Sequence, residues 1–272
     1  MLNRLPSALA RAVTVVLLLL MVAGCTRPDG TVSRGDVFDP YEDQNRRAHD
    51  FNVALDRAFG RPVSKGYGFV IPRWLQAGIG NFSRNLGQPR VILNNLLQGD
   101  VENAGINTLR FALNTTFGVG GIFDPATEAR LPLRETDFGV TMHVWGVPEG
   151  AYMELPFWGP TTERDIIGVL ANFVIDPLSW ALPLNRRYAR IVADVADDIG
   201  ERDRLSETID SILYESEDSY AQTRLIYLQN RAFELGGNSA NTSEDPYLDP
   251  YGDASTGAID PYLDPYEDPY AQ

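Results

Sequence analysis

Between Asp39 and Leu235 apolar side chains return mostly at steps of three, four or seven, the spacing of amphipathic helices. Phe51, Leu55 and Phe59 outline one face of a helix from Glu42 to Phe59, with Gly60 and Pro62 as the predicted stop. Pro72 to Leu86 and Pro89 to Gln98 read as two helices, each opening on a proline that suits a first turn. Asp100 is placed to cap a helix running to Phe117. Thr162 with Asp165 forms a capping-box pattern ahead of Ile166, Ile167, Val169, Leu170, Phe173 and Val174. Leu213, Tyr220 and Tyr227 mark a last helix from Ser206 to Leu235, and the one predicted strand is Ala151 to Phe157, between Gly150 and Gly159. The pattern predicts an all-α single domain of short helices with a minor extended element.

The ends of the chain read differently. Ala12 to Ala23 is a run of twelve residues interrupted only by Thr14, preceded by Arg4 and Arg11. A spanning helix needs about 20 apolar residues, so this run reads as an export signal rather than a membrane span. Val22-Ala23-Gly24-Cys25 closes it and resembles a bacterial lipobox, with the one cysteine of the chain as the lipid-attachment residue. Cleavage after Gly24 would remove two arginines, leaving 248 residues at −16 against −14 for the full chain. Residues 25–38 then read as a tether and 39–235 as the folded domain. Residues 236–272 read as a disordered acidic tail, because from Gly237 onward eight acids and no base accompany five copies of Asp-Pro-Tyr. Asp264-Pro265-Tyr266-Glu267-Asp268 repeats Asp39-Pro40-Tyr41-Glu42-Asp43 residue for residue.

Charge and composition exclude several functions. An acidic chain with no basic patch has little with which to bind nucleic acid. His49 and His143 are the only histidines, no Gly-x-Ser-x-Gly elbow occurs, and Cys25 is committed to lipid, so neither a hydrolase site nor a metal or cofactor site is indicated.

The polar chemistry that stands out is amide rather than charge. Asn103, Asn107, Arg110 and Asn114 fall at steps of four, three and four on one helix face, and Asn81, Asn85 and Gln88 align in the segment before. Asparagine is a mediocre helix former, so such a stripe needs a cause. Two arrangements satisfy it: amides bonding one another and the backbone between packed helices or facing solvent, or amides lining a narrow aqueous path through helices that touch lipid outside. Trp74, Trp145, Trp158 and Trp180 suit a membrane interface, and equally a core.

Several motifs together resemble the MlaA (VacJ) family. They are Asp39-Pro40-Tyr41-Glu42 with Asn45-Arg46 and Phe51-Asn52, Asn81-Phe82-Ser83-Arg84-Asn85-Leu86, Leu97-Gln98-Gly99-Asp100, Arg110-Phe111 with Leu113-Asn114-Thr115, Gly118 to Asp124, Trp145-Gly146-Val147, Leu155 to Pro160, and Arg164-Asp165. Ala151 stands where the family usually has proline, and the repeated acidic tail is not a family feature. The resemblance implies an outer-membrane lipoprotein, anchored on the periplasmic side, whose mostly interfacial amphipathic helices form a ring around an amphipathic channel. It implies retrograde phospholipid transport that maintains lipid asymmetry, with no enzymatic step. A trimeric porin, a periplasmic MlaC-like carrier and an inner-membrane ABC transporter are the implied partners. Within that frame Asn103, Asn107, Arg110 and Asn114 are the candidate channel lining. Gly118, Gly120 and Gly121 are a candidate gate braced by Phe51 and Asn52. The competing readings are a scaffold lipoprotein and a membrane-bound phospholipase.

Overall fold

The computed structural model describes residues 38–178 and 184–237. The leader, Cys25, the tether up to residue 37, Trp180 and the tail beyond residue 237 lie outside the described residues.

A long rod opens the fold. Helix α1 (Glu42–Leu55) runs through a π-helical turn (Asp56–Gly60) into α2 (Arg61–Val70), where the sequence predicted a stop. Pro62 has no N–H to give, and its ring crowds the carbonyl four residues back. The wider turn absorbs this locally, since the Arg61 N–H reaches back five residues to the Asp56 carbonyl. Helix α3 (Arg73–Gln98) likewise continues through Pro89, where two helices were predicted. Packing against neighbours along its length outweighs the lost hydrogen bond.

Gly99, at φ +76°, ends α3 with the paired bonds of a Schellman motif: its own N–H donates to the Leu96 carbonyl at 3.1 Å, and the Asp100 N–H to that of Asn95 at 2.9 Å. Asp100 then caps α4 (Val101–Thr116) as predicted, accepting from the Asn103 N–H at 3.0 Å. Two short helices follow, α5 (Pro125–Glu128) and α6 (Phe138–Val144), each capped by the aspartate before it. The predicted strand is one arm of a hairpin. β1 (Tyr152–Leu155) pairs antiparallel with β2 (Gly159–Thr162), from Tyr152 opposite Thr162 to Leu155 opposite Gly159. Phe157, expected within the strand, sits instead in the turn at φ +68°.

Thr162 caps α7 (Glu163–Ile175), and α8 (Leu184–Arg204) is a long helix the pattern analysis did not single out. The last predicted helix is divided into α9 (Ser206–Asp210), a π-helical turn (Ser211–Glu215) and α10 (Ser219–Gly237). Ser216 is extended there, and the Asp218 carboxylate takes the Ala221 N–H at 3.0 Å to start α10 afresh.

Contacts between elements close a circuit. From α2 it passes to α8, then α3, α6 and α7, and returns through the hairpin to α1, which is continuous with α2. α4 packs along the outside of α3, and α10 bears on β2 and α6. Where α6 meets α7 the backbones nearly touch: a Cβ on Gly168 would lie 2.6 Å from the Gly139 nitrogen, so neither position has room for a side chain.

The distribution of side chains is inverted relative to a water-soluble domain. Among the described residues eleven hydrophobic residues are buried against twenty-one polar or charged ones, while thirty large hydrophobics are exposed. The exposed set includes Phe69 at 92% and Phe117 at 75%, distributed over every long helix. Apolar area turned outward on this scale marks a surface made for something other than water. No helix among the described residues is long and apolar enough to cross a membrane.

Candidate functional site

A cavity of about 740 Å³ lies inside the circuit. Its wall is assembled from α3, the cap of α6, the hairpin, α7 with the segment after it, α8 and α10, so no single stretch of sequence builds it. Trp158, Val169, Phe173, Leu178 and Ile191 supply apolar wall. Three guanidiniums (Arg90, Arg190 and Arg231) and five carboxylates (Asp137, Asp165, Asp176, Asp194 and Glu234) supply charge. Trp158 and Phe173 are exposed as well, at 61% and 69%, which places the apolar side at the mouth.

The three arginines differ in what holds them. Arg231, on α10, is buried and donates to Asp137 at 3.0 and 3.1 Å, to Asp165 at 2.7 Å and to Glu234 at 2.8 Å. It therefore ties α10 to α6 and α7. Burial alone would push the Asp137 carboxyl up, but Arg231 beside it brings the net shift below the usual range. Arg190, on α8, bonds the Asp176 carboxylate and lies 3.6 Å from that of Asp194. Arg90, on α3, donates to no acceptor among the described residues, and its enclosed Nε has no partner. Burial and then the charge of Arg190 lower its pKa from the ordinary arginine value.

The sequence-predicted lining residues lie elsewhere. Asn107 is fully buried and donates to the Asn95 side chain and to the Arg134 carbonyl, both at 2.9 Å. Arg110 donates to Asp124 at 2.8 and 3.1 Å, to the Thr127 hydroxyl at 3.2 Å and, closely, to the Leu131 carbonyl. Asn114 donates to Asp124 at 2.9 Å and accepts the Ala126 N–H at 3.0 Å. Asn103 is half-buried and bonds the Asp100 side chain at 2.6 Å. These side chains pin α4 to α3 and to the segment 117–137, and none of the four is on the wall of the large cavity. Of the amides, Asn172 and Asn230 reach that wall, Asn172 held from behind by Asn94 at 3.2 Å. The signal of Asn172 in the sequence is an asparagine inside the apolar run from Ile166 to Ile175.

Gly118, Gly120 and Gly121 form the tight turn leaving α4. Gly121 sits at φ +99°, where an added Cβ would lie 2.4 Å from the Cβ of Asn85. Phe51 and Asn52 are attached to a different part. Phe51 packs edge-on against Phe157 with ring centres 5.0 Å apart. Asn52 donates to the Leu155 carbonyl at 3.0 Å and accepts the Phe157 N–H at 2.8 Å. They fasten the hairpin turn that presents Trp158 to the cavity, not the glycine turn. Trp74, Trp145 and Trp158 are all exposed, with the Trp145 indole N–H on the Leu97 carbonyl at 3.1 Å.

One arrangement with hydrolytic connectivity escaped the sequence analysis. His49 joins Glu154 through Nδ1 and the Ser219 hydroxyl through Nε2, both at 2.9 Å. His49 and Glu154 are buried at 3% and 5%, and none of the three lines the large cavity. The trio holds α1, β1 and α10 together. No group of side chains among the described residues is arranged to hold a metal ion.

Fold and cavity together define a ring of helices with an apolar rim and an amphipathic interior. Residues 37–234 match the MlaA lipoprotein family, and the chain belongs to that family. It is 34% identical over 231 residues to the intermembrane phospholipid transport system lipoprotein MlaA of Escherichia coli strain K12, covering 83% of this chain and 89% of that one. Against the protein of the same name from Haemophilus influenzae identity is 28% over 242 residues, covering 87% and 94%. A solved structure from work on the structural basis for maintenance of bacterial outer membrane lipid asymmetry matches with a TM-score of 0.65 at 34% identity, covering 72% of this chain and 98% of that one.

Proposed function

We propose that this protein is a lipid conduit of the outer membrane, anchored through Cys25 on the periplasmic side. It sits within one leaflet, takes mislocalised phospholipid from the outer leaflet through its cavity, and passes it to a periplasmic MlaC-like carrier. A trimeric porin and an inner-membrane ABC transporter complete the route. The observation that carries this reading is the inverted distribution of side chains: an apolar rim around an interior of amides, guanidiniums and carboxylates. A headgroup crossing hydrocarbon loses its hydration, and fixed polar groups replace part of it. Helices lying flat in the interface need no spanning segment. The phospholipid system named for the Escherichia coli relative supports the choice of cargo.

Hydrolysis is the second reading, and the Ser219–His49–Glu154 trio is what favours it. Its burial, away from the cavity, argues for a structural role. Purified protein in vesicles of labelled phospholipid separates the possibilities. Transfer to the carrier, abolished when Val169→Trp fills the cavity, supports the conduit. Fatty-acid release abolished by Ser219→Ala establishes a hydrolase, and neither result leaves a scaffold.

A further inference from the structure

Arg90 is the one arginine of the cavity wall whose charge nothing spends. Arg231 and Arg190 are each bonded to carboxylates, whereas no nitrogen of Arg90 donates to an acceptor among the described residues. A guanidinium turned away from water is costly unless something pairs with it. Of the charges around the cavity, Arg190 repels it, and Asp176, Asp137 and Asp194 offset that repulsion without bonding it. An acceptor delivered into the cavity would complete the set. The planar fork of an arginine matches the two free oxygens of a phosphodiester.

The remaining charges constrain what else the ligand carries. With five carboxylates to three guanidiniums, the wall is acidic by two. A ligand with a net negative charge is repelled, but one carrying a phosphate and a cation satisfies both signs. Asp194 is placed to take the cation: its side chain is 43% exposed, the Ser83 hydroxyl donates closely to its Oδ1, and its Oδ2 faces Arg190 only at 3.6 Å, which leaves capacity for a second positive group. Trp158, Phe173 and Ile191 supply apolar wall that a free phosphate would leave unused.

We propose that Arg90 and Asp194 form a headgroup site for a zwitterionic phospholipid, with the phosphodiester on Arg90 and the terminal ammonium on Asp194. The site rests on the conduit reading and adds a preference to it: an ethanolamine headgroup is held over a glycerol one. No hydrogen bond or ion pair among the described residues uses the Arg90 guanidinium, so Arg90→Gln is expected to leave the ring folded.

The test uses the full-length lipoprotein extracted in mild detergent from membranes containing phosphatidylethanolamine and phosphatidylglycerol. Lipid per protein is counted by mass spectrometry. Arg90→Gln is expected to lower bound phosphatidylethanolamine about tenfold, the loss of one charge-assisted contact, while Arg90→Lys keeps most of it. Asp194→Asn is expected to shift the ratio several-fold toward phosphatidylglycerol with total lipid retained, as removal of a rejecting charge does. Arg90→Gln with unchanged lipid content and headgroup ratio, and an unchanged circular dichroism spectrum, overturns the site and leaves the conduit standing. Wild-type protein carrying no lipid overturns both. Complete displacement of the lipid by inorganic phosphate identifies a site for free anions and overturns the lipid assignment.

Discussion

Arg110 and Arg90 are both arginines at the α3–α4 hairpin, and their surroundings are opposite. Arg110 meets Asp124, Thr127 and the Leu131 carbonyl. Arg90 meets no acceptor among the described residues. The first belongs to a closed girdle in which each bond fixes a piece of chain, and the second to a wall that stays open to whatever enters. A polar side chain withdrawn from water is not by that fact a working one. What separates the two cases is whether the guanidinium is already paired with a carboxylate within the fold.

The contrast breaks most visibly under substitution. Arg110→Ala removes at once the guanidinium bonds to Asp124, Thr127 and the Leu131 carbonyl and should destabilise the domain by about 3 kcal/mol, read from denaturant unfolding in detergent. Arg90→Ala should change the same measurement by less than about 1 kcal/mol, since it breaks no bond. Equal losses at the two sites would erase the distinction. Asn107→Leu comes next, at about 1–3 kcal/mol, because the Asn95 oxygen and the Arg134 carbonyl lose their buried donor. As channel lining, the role the sequence suggested for Asn107 and Arg110, their replacement would weaken transport and spare folding; the bonds they make lead us to expect a loss of stability as well.

Acid provides a gentler separation. Asp124 and Asp137 have pKa values below the ordinary carboxylate value of 3.8: burial pushes both up, but bonded donors outweigh it. Asp218 is brought down to about 2 by its hydrogen bonds from Arg46 and then from the Ala221 N–H. A carboxylate whose folded pKa is depressed contributes its stability above the unfolded value and loses it as pH falls through the folded one. The contribution of these three carboxylates should therefore be lost as pH falls from about 4 towards 2, followed by far-ultraviolet circular dichroism. Asp218→Asn, at an exposed pair, should account for no more than about 1 kcal/mol of the drop.

Much of the local structure was legible. Asp100 and Thr162 cap the helices they were expected to cap, because a cap is decided by residues three apart. The prolines misled: Pro62 and Pro89 lie inside helices whose neighbours hold them, and those neighbours are invisible in a local window. Tyr188, Ile191, Val192 and Val195 carried a readable stripe for α8, set among charges that masked it. The amide stripe of α4 was correctly seen as one face, but not what faces it. Its partners lie in the segment 117–137, which has little periodicity of its own. The cavity was the least legible feature, since its wall draws on residues from Arg90 to Glu234 that only the closed ring brings together.

Asp39 has a mechanical consequence. Its carboxylate is gripped by Asn45 at 2.8 Å and closely by Tyr220 and Arg224, and the Phe38 carbonyl just before it takes the Tyr152 N–H. Any tug transmitted along the chain from the N-terminal side is arrested at this knot. From there the strain runs up α10 to Arg231 and the bonds it makes across the chamber. A leash fastened at this point orients the whole ring through the very strut that braces its interior.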